Sequence, residues 1–134
     1  MRIFKIILSI LLITTSVFAF EKFNVGDNVV FKEGATFCLY KKDSIKSFNF
    51  NGNYSEEAKQ LFYEQKCFLA NKTNLKTLNN SSWKVKSKEV VPELYMNTLP
   101  IFFLNLECDG VNVWLYVIEA YVPKFARPKI KIVR

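Results

Sequence analysis

The chain has 134 residues, half of them hydrophobic, and a formal net charge of +7. That length suits one domain with one core. It has no histidine, which excludes Ser-His-Asp and Cys-His catalytic arrangements and removes the commonest side-chain metal ligand.

Residues 1–19 have the layout of a secretory signal peptide. Arg2 and Lys5 make a basic start, residues 6–13 are apolar except for Ser9, and Val17-Phe18-Ala19 offers suitable side chains before a cut after Ala19. Cleavage there yields a mature chain beginning at Phe20, with a charge of about +5 once Arg2 and Lys5 are gone. The alternative is an uncleaved anchor, because residues 3–20 approach the length of a membrane span. The expected destination is the periplasm or the medium, with no stable membrane span after cleavage. The residual positive charge there is not read as a nucleic-acid footprint, since no nucleic-acid motif accompanies it.

Along the mature chain, Val25-Gly26-Asp27 reads as a turn, 28–32 as a strand, Glu33-Gly34 as a turn and 35–40 as a second strand. Residues 41–53 are polar apart from a few apolar side chains such as Phe48 and Phe50, and read as a loop. Ser55 then has the character of an N-cap, and Glu56 and Glu57 complement the dipole of a first turn. Ala58, Leu61, Phe62 and Gln65 follow at helical spacing, which predicts a helix over 55–65, from Ser55 to Gln65. Further strands are expected at 67–70, 75–78 and 83–86, separated by polar turns. Pro92 and Pro100 limit any helix in 90–99.

The strongest local signal is Asp109-Gly110 between two runs of β-branched, aromatic and aliphatic residues. Asp-Gly suits a two-residue type I′ hairpin turn, whose central residues both need positive φ. Counting outward pairs Cys108 with Val111, Leu106 with Val113, Leu104 with Leu115 and Phe102 with Val117, an apolar face that reads as core. The other face pairs Glu107 with Asn112, Asn105 with Trp114 and Phe103 with Tyr116. A short closing turn is expected at 118–121, then a basic tail over 123–134, where Pro123 and Pro128 forbid a regular helix.

Export permits a disulfide. Cys38 and Cys67 each lie in a predicted strand and bracket the predicted helix, so Cys38–Cys67 is the expected bridge, with Cys108 a thiol beside the hairpin turn. Cys67–Cys108 is the rival pairing. Three dispersed cysteines lack zinc-site spacing, so no metal or other cofactor is expected.

Many short strands and one inserted helix argue for an all-β barrel or sandwich. The stretches VGDNVVFKEGATFCLYKKDSIK, CFLANKTNLKTLNN and GVNVWLYVIEAYV resemble the opening strands, the next hairpin and the closing strand of bacterial SH3-like (SH3b-type) domains. The chain departs from that pattern at Val113, where the family usually has Gly before the Trp, and in the length of 86–99. The resemblance implies a small SH3-like barrel over 20–122, with a helical insertion at about 41–66. It also implies a non-enzymatic binding module of the cell envelope, with peptide or peptidoglycan as ligand. Phe103, Trp114 and Tyr116 are the candidate ligand-binding residues, because aromatic faces stack on peptides and sugars. The alternatives are a small exported inhibitor or immunity-type protein that binds another protein, and a cell-wall hydrolase using two of Glu33, Asp43, Glu89, Glu93, Glu107 and Glu119. No carboxylate has a setting that marks it as catalytic, so no enzyme is expected.

Overall fold

In the computed structural model, residues 20–47, 54–91 and 100–134 are described. The expected signal segment, Phe48, Phe50 and most of 90–99 lie outside them. Seven strands, β1 (Asn28–Phe31), β2 (Thr36–Cys38), β3 (Cys67–Leu69), β4 (Trp83–Val90), β5 (Ile101–Cys108), β6 (Val111–Ile118) and β7 (Ile130–Ile132), form one sheet in the order β3-β2-β6-β5-β4-β1-β7. Every neighbouring pair is antiparallel. The helices α1 (Lys41–Lys46), α2 (Glu56–Tyr63) and α3 (Leu75–Leu78) are short, and a 3₁₀ turn occupies Lys124–Ala126. The chain is therefore mostly β. Among the described residues, no helix is long and apolar enough to cross a membrane.

The β5–β6 hairpin has the register counted from its turn, from Cys108↔Val111 to Phe102↔Val117, and it pairs one step further, at Ile101↔Ile118, where the closing turn over 118–121 is expected to begin. Asp109 and Gly110 adopt φ of 50° and 82°, the left-handed pair a type I′ turn requires.

The sheet curls because its connections force it to. β1 and β2 are separated by β4, β5 and β6, which on a flat sheet is about 19 Å at ordinary strand spacing. Residues 32–35 alone join them, and the five steps from Phe31 to Thr36 reach at most about 18 Å when fully extended. They are not extended, since Gly34 turns the chain at φ 96°. The sheet rolls instead, and the rings of Phe31 and Phe37 meet at 4.9 Å. Lys32 N–H donates to the Lys129 carbonyl at 2.7 Å and Gly34 N–H to the Ala70 carbonyl at 2.8 Å, so this turn touches the ends of both outermost strands. The result is a curled half-barrel.

Alternate residues face its concave side. Val29, Phe31, Phe37, Trp83, Val85, Leu104, Leu106, Val113, Leu115, Val117 and Ile130 are buried there, as the apolar hairpin face predicts. Trp83 satisfies its indole N–H on the Leu78 carbonyl at 2.9 Å. The convex side of the hairpin is also largely covered. Ile101, Phe103 and Ile118 form a second buried cluster with Val91, and Ile45 of α1 packs against it.

Cys38 and Cys67 sit opposite each other on β2 and β3 and are joined by a disulfide. Leu61 and Phe62 of α2 pack on the bridge. Cys108 is a free thiol, so the rival pairing is not formed. Ser55 caps α2, its hydroxyl accepting from Ala58 N–H at 3.1 Å. The helix is shorter than the expected 55–65 and is followed by Gln65 at φ 60°.

Several expectations are corrected. The expected loop 41–53 begins with α1, whose Asp43 in the first turn and Lys46 in the last suit the helix dipole. The expected strand 75–78 is the single turn α3. The Asn71 side chain accepts from Thr73 and Asn74 N–H groups, bending the chain, and Leu75 and Leu78, three apart, pack together on the core. β4 runs on to Val90 past an irregularity between Val85 and Ser87. This bulge switches the faces, turning Lys88 to the Leu104 side and Glu89 to the Phe103 side. The expected tail carries β7, which pairs with β1 through Phe31↔Ile130 and Val29↔Ile132. Ile130 is core there.

Candidate functional site

β2 and β6 touch at one register position, Cys38↔Trp114. Beyond it the two strands separate, because Gly34 swings the chain toward β1. A groove of about 100 Å³ lies in the gap. Gly34, Ala35 and Thr36 line one side, Leu115 to Ile118 the other, and Ala126 to Lys129 a third, with Tyr54 also in the lining.

Local chemistry sets each wall. Thr36 Oγ1 and Tyr54 OH are hydrogen-bonded at 2.7 Å, which pins the residue before the Ser55 cap of α2 to β2. Pro123 opens the 3₁₀ turn, and its carbonyl accepts from Ala126 N–H at 2.9 Å. Pro128 then holds Arg127 in extended backbone, at φ −69° and ψ 147°, and this places Arg127 on the groove. The Lys129 stem runs past Gly34, where an added Cβ would lie 4.0 Å from Lys129 Cδ and Cε. The Lys129 ammonium donates to the Lys124 carbonyl at 3.5 Å. Among the described residues, two cations and no acid line the groove.

The three aromatic candidates share one face of the hairpin and one hydrophobic cluster, with different exposure. Tyr116 lines the groove and is half-buried. Phe103 is 1% exposed and offers no surface to a ligand. Trp114 is half-buried, and the Lys41 ammonium of α1 lies 5.8 Å from its ring centroid and 5.7 Å from that of Phe103. Lys41 is also ion-paired with Glu89. Sequence reasoning missed Thr36, Tyr54 and Arg127. Pro123 and Pro128 on either side of Arg127 are the one available signal, and in the sequence they show only that a regular helix is excluded.

The carboxylates stand elsewhere. Glu107 pairs with Lys86 at 3.4 Å. Glu119, 5% exposed, takes the Lys88 ammonium at 2.7 and 2.8 Å and the Phe23 N–H at 2.8 Å. Lys88 also lies 4.4 Å from the Phe102 ring centroid. This pair ties the N-terminal segment to β4 and to the end of β6. Asp43 is buried, and among the described residues nothing donates a hydrogen bond to its Oδ2. Glu33 does not line the groove, and Glu93 lies outside the described residues. Among the described residues, no grouping of Cys, Asp and Glu suits a metal ion. Burial, reinforced by Asp109, pushes the Cys108 thiol above its ordinary pKa, which disfavours the nucleophilic thiolate.

The fold and the groove together define the class of this chain as a mostly β, curled antiparallel sheet with a small basic cleft at a seam. Comparison with protein-family models, with curated proteins and with solved structures gives no significant match.

Proposed function

We propose that this chain is a non-enzymatic, exported binding module of the bacterial cell envelope, and that a peptide, free or within peptidoglycan, enters the groove between β2 and β6. The observation that carries the reading is the groove's composition. The Tyr116 ring, the Thr36 and Tyr54 hydroxyls and two cations line about 100 Å³, with the buried apolar residues Leu115 and Val117 also in the lining. Ligand sites are concave, mostly apolar and orientated by a few polar groups. The curled antiparallel sheet and the helices lying between the two cysteine-bearing strands support an SH3-like assignment. The Cys38–Cys67 bridge and the layout of residues 1–19 support export.

The test is co-sedimentation of the protein from Phe20 onward with purified sacculi. The wild type should pellet with them, and Tyr116→Ala, confirmed as folded by circular dichroism, should stay in the supernatant. A wild type that remains soluble with sacculi would remove peptidoglycan as ligand.

A further inference from the structure

Resting on the reading of the groove as a ligand site, we infer that it recognises a terminal carboxylate, with Arg127 as the charge partner and the Thr36–Tyr54 hydroxyl pair as a hydrogen-bond donor. The two cations on the groove differ in their commitments. The Lys129 amine is engaged by the Lys124 carbonyl and its stem lies along Gly34. Arg127 is exposed and makes no ion pair among the described residues. Its guanidinium is a planar fork that matches a carboxylate through two parallel hydrogen bonds.

The hydroxyl pair points to the same chemistry. Two hydroxyls 2.7 Å apart share one hydrogen between them, and the second O–H remains to donate outward. A carboxylate, which only accepts, satisfies both this donor and Arg127. A cationic or amine ligand would meet two positive charges and, among the described residues, no acid. Size restricts the ligand further. An apolar cavity of about 150 Å³ holds a benzene, so about 100 Å³ accommodates one small residue. The occupant is therefore the end of a peptide, its small side chain within the groove and its carboxylate toward Arg127.

The experiment is calorimetric titration of the protein from Phe20 onward with N-acetyl-trialanine, in both enantiomers, as the free acid and as the C-terminal amide. At least one free acid should bind tenfold or more tightly than its amide, and Arg127→Gln should erase that ratio. Arg127 is exposed, so this variant should fold, and Lys131→Gln on the exposed side of β7 should leave the ratio intact. Equal affinity for acid and amide, no binding of either enantiomer, or a ratio that survives Arg127→Gln would each overturn the inference. Sacculus binding is measured separately: if it persists while acid and amide bind equally, carboxylate recognition fails and the groove reading stands.

Discussion

Replacing both bridged cysteines, as Cys38→Ala with Cys67→Ala, tests how the helical insertion is held to the sheet. The bridge spans a sequence separation of 29. In the chain-entropy description, closing such a loop removes about 12 cal/mol/K from the unfolded ensemble, or about 3.6 kcal/mol at 25 °C. The lost sulfurs also leave a small void beneath Leu61 and Phe62, adding roughly 1 kcal/mol. The expected loss is thus about 4–5 kcal/mol, a large part of the 5–15 kcal/mol that ordinarily holds a domain together. Urea unfolding followed by tryptophan fluorescence measures it, because Trp83 lies in the core and Trp114 faces Cys38 across β2 and β6. The urea dependence should also steepen, since an uncrosslinked unfolded chain exposes more surface. Wild type in strong reductant should approach the double variant, while Cys108→Ala should cost about 1 kcal/mol or less. A double variant within 1 kcal/mol of wild type would refute the claim that this bridge anchors the insertion.

Three further outcomes follow from the packing. Glu119→Ala should cost about 3–5 kcal/mol by urea unfolding, because it leaves the Lys88 ammonium and the Phe23 N–H without their carboxylate in a largely buried site. Ile130→Ala should cost about 2–5 kcal/mol, since β7 is part of the core; a value near zero would return 123–134 to the status of a tail. The Cys108 thiol, held above its ordinary pKa mainly by burial, should alkylate slowly at pH 8 and reach its plateau rate at higher pH than an unfolded control. The same raised pKa makes its contribution to stability complete below the thiol's unfolded pKa, and lost as pH rises through the folded one.

Much of the sheet was legible where a local rule had one solution. Asp109-Gly110 set both turn type and register, so the pairs from Cys108↔Val111 to Phe102↔Val117 followed from counting. Ser55 with two glutamates marked the start of α2, and the positions of Cys38 and Cys67 around that helix identified the bridge. Four-residue stretches were ambiguous. Leu75 and Leu78, three apart, share a face only in a helical turn, a signal that a four-residue stretch leaves weak, and the Asn71 side-chain bonds bend the chain into that turn. Ile130-Lys131-Ile132 alternates as an edge strand should, but Pro123 and Pro128 masked it. Phe103 looked available because α1, which covers that face with Ile45 and Lys41, was read as loop. The groove itself could not be read locally. Thr36, Tyr54, Tyr116 and Arg127 are far apart in sequence and meet only because the sheet curls and β2 leaves β6.

The most direct test of a ligand site at the β2–β6 seam is a set of ¹H–¹⁵N amide spectra of the labelled protein, recorded during titration with soluble peptide fragments released enzymatically from sacculi. The account predicts saturable shifts concentrated at Gly34, Thr36, Tyr54, Tyr116 and Arg127, with the β4 amides of Lys84 to Lys88 unmoved. Shifts gathered on α1 and Trp114 instead, or spectra unchanged at millimolar fragment, would contradict it.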